Sequence, residues 1–192
     1  RKGSVFVANL HALTALGARE AAVITVGPLT ITERFDVALA SVAARRGRMA
    51  DLAKAAKAAG LPLPDPARWQ GGTPYSAFWT VSEMWLVEAP FASHELIEGM
   101  LKASLGDAAS VTEQTDAWVA LDLAAPDLAP LLERLCNVDF RAVADGYATR
   151  TMIEHLGCYL IKHGAGGVRL YGPRSSAKGL VHALETAAHS VW

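Results

Sequence analysis

Ile31-Thr32-Glu33-Arg34-Phe35-Asp36 returns as Val111-Thr112-Glu113-Gln114-Thr115-Asp116, an offset of 80 positions that preserves the β-branched residues, the Glu and the closing Asp. A second pair agrees with it. Val87-Glu88-Ala89-Pro90 with Ser93, Ile97 and Leu101 lines up with Leu170-Tyr171-Gly172-Pro173 and Ser176, Leu180 and Leu184, at an offset of 83. Two matches at nearly one offset point to an internal duplication. The halves run over about residues 22–104 and 105–188. Each is too small to bury a good core alone, so they are expected to pack as one pseudo-symmetric domain over residues 1–192.

In the second half, Trp118 to Leu123 alternates, placing Val119, Leu121 and Leu123 on one face as a half-buried strand requires. Ala125-Pro126-Asp127 ends it, and Asp127 is placed to cap a helix from Leu128 to Cys136 with Leu128, Leu131, Leu132 and Leu135 as its apolar stripe. Arg150–Lys162 and Val168–Tyr171 read as two strands reversed through His163-Gly164-Ala165-Gly166-Gly167. Pro173 with Ser175 or Ser176 then starts a last helix that buries Leu180, Ala183, Leu184 and Ala187. The first half follows the same plan. A strand over Val37–Ala44 breaks at Gly47, a helix over Met49–Ala59 stops at Gly60-Leu61-Pro62, Ser76–Val87 makes a hairpin, and Ser93 caps a helix over His94–Ala103. The expected class is α+β, two β-α-β-β-α halves with antiparallel sheet.

Composition narrows the function. The AVILMFWYC set makes up 52% of the 192 residues and charged residues only 19%, which excludes disorder and leaves a thin polar coat, so apolar surface is expected to meet a partner. A formal net charge of -1 supplies no field for nucleic acid or an anionic membrane. The uncharged stretch Trp69–Ser82 is interrupted by Gly71, Gly72 and Pro74 and is too short and polar to span a bilayer. No secretory signal is visible, and Cys136 and Cys158 form no disulfide framework, so a reducing, cytoplasmic location is expected.

Catalytic motifs are missing. Cys136, His155, Cys158 and His163 are zinc-ligand types at the wrong spacing, since His155 and Cys158 fall on opposite faces of one predicted strand. A buried cysteine and a histidine paired near Glu154 account for them. Gly172-Pro173-Arg174-Ser175-Ser176-Ala177-Lys178-Gly179 lacks the spacing of a phosphate loop, and no GxSxG, HExxH or dinucleotide fingerprint occurs, so the chain is expected to hold no catalytic residue, cofactor or metal. Arg45, Arg46 and Arg48, with Lys54 and Lys57, form the one dense basic cluster, either a solvated turn or a docking patch for an acidic partner. The tryptophans Trp69, Trp79, Trp85, Trp118 and Trp192 are core by default, with Trp79 and Trp85 as candidate interface anchors beside the arginines.

Six blocks carry a family resemblance: Ala43-Ala44-Arg45-Arg46-Gly47-Arg48, Tyr75 through Trp79, Trp85 through Pro90, Val111 through Trp118, Arg150 through Cys158, and Tyr171 through Ala177. In this order they resemble the gamma subunit of heterotetrameric sarcosine oxidase. That family is distantly similar to the aminomethyltransferase, or glycine-cleavage T-protein, folate-binding fold of two related α+β halves, truncated here of its last segment. The resemblance implies a bacterial, cytoplasmic complex with alpha, beta and delta subunits that oxidatively demethylates sarcosine to glycine. Oxygen becomes hydrogen peroxide, and the methyl carbon leaves as formaldehyde or, with tetrahydrofolate, as 5,10-methylenetetrahydrofolate. It places FAD, FMN, NAD, zinc and tetrahydrofolate on the partner subunits and leaves this chain non-catalytic. Two alternatives stand beside it: a subunit of a related complex for another N-methyl amino acid such as N-methylglutamate, and a stand-alone folate-binding module. In the latter, Asp139 would be the acid for the pterin ring.

Overall fold

The structure is a computed structural model that describes residues 11–164 and 166–192. The first half supplies β1 (Val23–Val26), β2 (Leu29–Arg34), β3 (Val37–Ala44), α1 (Met49–Ala58), β4 (Trp69–Gln70), β5 (Ser76–Val81), β6 (Met84–Pro90), the single turn α2 (Phe91–His94) and α3 (Ile97–Leu105). The second supplies β7 (Ala109–Glu113), β8 (Trp118–Ala124), α4 (Ala129–Leu135), β9 (Ala148–Ile153), β10 (Leu156–Lys162), β11 (Gly167–Pro173) and α5 (Ala177–Val191).

Two antiparallel sheets form, in the orders β1-β2-β8-β11-β10-β9 and β4-β5-β6-β3-β7. Equivalent strands occupy equivalent places in both, with one exchange. β2, which precedes β3 in the chain, pairs with β8, whereas β7, which precedes β8, pairs with β3. The quoted repeat is this exchanged strand, and it ties each half into the other's sheet.

Strand alternation then builds four layers. Val119, Leu121 and Leu123 of β8 face α4 and α5, in a core completed by Leu160, Leu170, Leu180 and Leu184. Ala38, Ala40 and Val42 of β3 face α1 and α3, packing with Leu52, Val87, Ile97 and Leu101. The opposite faces of the two sheets meet each other. Leu39, Phe78, Leu86, Ala120, Ile161 and Tyr171 form that third, inter-sheet core, and Phe78 stacks on Tyr171 with ring centres 5.5 Å apart.

The α+β class and the pseudo-symmetric antiparallel halves match the expectation, and the structure adds leading strands, β1 and β2 in the first half and β7 in the second, and to each half an edge strand, β4 or β9. Four local readings are corrected. Arg150–Lys162 is not one strand, because the chain reverses at Glu154 and His155, both at positive φ (47° and 65°), so His155 sits in an exposed turn while Cys158 is buried in the sheet. The His94–Ala103 helix is broken at Glu95 and Leu96, and Ser93 caps nothing; its hydroxyl lies 2.9 Å from His94 Nδ1. Ser176 stands at the start of α5 without a side-chain cap bond, and α4 begins at Ala129, whose N–H donates to Asp127 Oδ1 at 3.0 Å. The reversal at His163–Gly167 forms as expected around Gly164, at φ +70°.

Candidate functional site

Where β6 and β11 cross between the sheets, a buried polar network replaces apolar contact. Glu88 is 3% exposed. Its Oε2 accepts from Trp69 Nε1 at 2.9 Å and Ser76 Oγ at 2.8 Å, and its Oε1 from Arg169 at 3.3 Å and from the Tyr171 hydroxyl. Arg169 also forks onto Asp122, Nε to Oδ1 at 2.7 Å and the second nitrogen to Oδ2 at 2.8 Å, and Arg34 reaches the same Oδ2 at 2.7 Å while gripping Asp36 with its other nitrogens at 2.8 Å. Bidentate guanidinium pairing of this kind fixes geometry as well as charge.

Glu88 and Tyr171 are the same position of the repeat. Glu88 pairs with Leu39 across β6 and β3, and Tyr171 with Ala120 across β11 and β8. The pseudo-two-fold axis therefore brings the two equivalents together, and chemically they are unlike.

Electrostatics decides what the network can do. Burial opposes the charge on Glu88 most strongly, but Arg169 and the hydrogen bonds from Tyr171, Trp69 and Ser76 outweigh it and hold the carboxyl below its ordinary value. Asp122 is lowered in the same way, burial working against it and Arg169 and Arg34 prevailing. Burial and the Glu88 charge push Tyr171 well above the usual phenol range, so it stays a donor. A carboxylate with four donors has its lone pairs occupied and is a poor general base. His163, edge-on to Trp69 at 4.4 Å, is held below its ordinary value by burial and by Arg169, and its buried Nε2 has no hydrogen-bond partner among the described residues.

Tyr171 and Arg34 also form the floor of a cleft of about 250 Å³ that opens between the halves, walled by Leu39, Phe91 and Trp118, with Phe35, Leu13 and Arg174 at its mouth.

The predicted site residues fall elsewhere. Arg45 pairs with Asp107 at 3.2 Å and Arg48 with Asp51, and with Arg46 they stand exposed on the loop from β3 to α1. Trp79 is half-buried against the first-half core. Trp85 is corrected: at 5% exposure, with its indole N–H donating to Pro64 O at 2.8 Å, it is a core residue and no interface anchor. Asp139 is also corrected, since it is exposed, accepts from the Ala142 N–H at 3.1 Å and does not line the cleft. Cys158 is buried and its thiol is pushed up to about 11, chiefly by burial, and Cys136 is raised for the same reason, so neither is an activated nucleophile. Among the described residues no group of three or more His, Cys, Asp or Glu is placed to hold a metal, and no helix is long and apolar enough to cross a membrane.

No family model matches the sequence, and no curated protein matches it either. The fold itself has solved counterparts. It is similar to a chain of the heterotetrameric sarcosine oxidase from Corynebacterium sp. U-96 in complex with pyrrole 2-carboxylate, with a TM-score of 0.75 and 22% identity over 87% of this chain and 88% of that one. It is also similar to the glycine cleavage system aminomethyltransferase T from Bartonella henselae, with a TM-score of 0.57 and 14% identity over 79% of this chain, which spans 44% of that longer one. The fold expected from the resemblance is the fold observed.

Proposed function

We propose that this chain is the non-catalytic gamma-type subunit of a heterotetrameric sarcosine oxidase, assembled with alpha, beta and delta subunits. The observation that carries this reading is the end-to-end fold likeness to a chain of such a complex, on a sequence whose conspicuous buried acid is already saturated by donors. The overall reaction consumes sarcosine, oxygen and water and yields glycine, formaldehyde and hydrogen peroxide; with tetrahydrofolate the one-carbon unit leaves as 5,10-methylenetetrahydrofolate. In this reading FAD, FMN, NAD and zinc belong to the partners, and the chain contributes a rigid body with exposed apolar side chains. Phe35, Leu13, Leu96 and Met152 are each more than half exposed, which suits a surface completed by other subunits. Arg45, Arg46 and Arg48 act as a steering rim, setting association rate more than affinity.

Asp139 gives a stand-alone folate module no support, because its carboxylate faces solvent. Co-expression with the three companion subunits tests the proposal. Sarcosine-dependent peroxide formation should co-elute with this chain far above its own 20.3 kDa, and N-methylglutamate offered in parallel reports the substrate. A free monomer, with activity eluting elsewhere, would overturn it.

A further inference from the structure

We infer that the cleft between the halves is a socket for one aromatic or large aliphatic side chain carried on an acidic segment of a partner subunit; this rests on the reading of the chain as a subunit. Size comes first. About 250 Å³ lies below the roughly 300–1,000 Å³ that small-molecule sites occupy, and suits a single large side chain. The walls suit the same guest. Leu39, Phe91 and Trp118 line the interior, while Phe35 and Leu13, 61% and 52% exposed among the described residues, stand at the mouth. Large apolar side chains around an apolar hollow are the anatomy of an interface hot spot.

Charge selects the flanks of the guest. Arg19 and Arg174 border the cleft, and Lys178 lines a shallower groove that continues from it past Ala15 and Asp116. Of the acids, Glu33 is 2% exposed and turns its two oxygens to the backbone N–H groups of Leu16 and Ala22, at 3.0 and 3.1 Å. Arg174 meets Asp116 only at 3.8 Å, with Asp116 88% exposed. The rim is therefore net positive and complementary to carboxylates. The chain's own residues 1–10 are the other candidate occupant, and they carry Arg1 and Lys2 and no acid, the wrong charge for this rim.

Two measurements on the full chain test the socket. The first titrates acetylated, amidated Asp-Glu-Phe-Asp-Glu, Lys-Lys-Phe-Lys-Lys and Asp-Glu-Gly-Asp-Glu peptides against the labelled chain and follows the Trp118 indole N–H and the Phe35 and Arg174 amides by NMR. The acidic Phe peptide should bind at least tenfold more tightly than the others, weaken with salt and lose binding in Phe35→Asp, an exposed change whose folding the same spectra report. Equal response to all three peptides, shifts outside the cleft, or binding that appears only after residues 1–10 are removed would overturn the socket.

The second measures assembly with the companion subunits. Phe35→Asp should cut assembled complex at least tenfold at equal soluble chain. If it assembles as wild type does, the socket is wrong and the subunit reading stands. If wild type itself does not assemble, the subunit reading fails and the peptide titration alone decides the socket.

Discussion

Equivalent positions of the two halves keep like side chains in the outer layers and unlike ones at the axis between them. Ile97 and Leu101 of α3 match Leu180 and Leu184 of α5, all fully buried against their own sheets. Glu88 matches Tyr171, Ser41 matches Asp122, and Leu86 matches Arg169, as the strand registers show. The difference follows from symmetry. An outer layer packs one half's helices on a sheet, and like apolar residues serve both copies. Near a two-fold axis a residue faces its own equivalent, and two carboxylates there cannot both ionise, whereas an acid facing a phenol and a guanidinium is satisfied. The duplicated plan survives because its centre is no longer duplicated.

Restoring identity at the axis should do the most damage. Tyr171→Glu puts equivalent carboxylates together and should cost more than about 4 kcal/mol at pH 7 by urea unfolding, with partial recovery in acid where one of them binds a proton. Arg169→Leu strips Glu88 of its cation and leaves Asp122 with Arg34 alone, and should cost about 3–5 kcal/mol, less when combined with Glu88→Gln. In the outer layers Leu101→Ala and Leu184→Ala should each cost about 2–4 kcal/mol and resemble one another; a large inequality would break the claim that these layers are equivalent. Glu88 and Asp122 both sit below their ordinary values of 4.5 and 3.8, so the unfolded chain binds the extra protons in acid. Their contribution is complete above about pH 4.5 and is lost as pH falls through the lower folded values, a decline that the Arg169→Leu chain should show less steeply. The smallest effect belongs to the turn between β9 and β10. Replacing Glu154 and His155, both at positive φ, by Asn and Gly should stabilise the chain by about 1 kcal/mol.

The outer layers were legible in the sequence because their signal is local. Val119, Leu121 and Leu123 alternate, and Leu128, Leu131 and Leu132 recur at helical spacing, so each face could be read from its own segment. Asp122 was not legible as the half-buried partner of two arginines. A charge between two leucines reads as the solvent side of a half-buried strand, and nothing within β8 reports that a second sheet covers that side. The partners of Asp122 lie 47 and 88 positions away, at Arg169 and Arg34, and pairing at that distance leaves no spacing rule to follow. The exchange of β2 and β7 escaped for the same reason, since the repeat shows that both strands exist but not which sheet each one joins. The turn at Glu154 was missed because it lacks the Asn-Gly or Asp-Gly signature that positive φ ordinarily demands. What could have pointed to the network is Arg169 inside the strand Val168–Tyr171, a long cation in a segment otherwise fit for burial.

Under the proposed function, the role of the axis network is to hold the halves together, with no part in chemistry. This role is tested most directly by Tyr171→Phe, which removes one hydroxyl from Glu88 and leaves the ring in place. Sarcosine-dependent oxygen consumption per assembled complex is compared with wild type while urea unfolding reports the stability of the free chain. Stability should fall by about 1–2 kcal/mol with turnover per complex unchanged. Turnover lost in a chain as stable as wild type would contradict the account and place this site in the reaction.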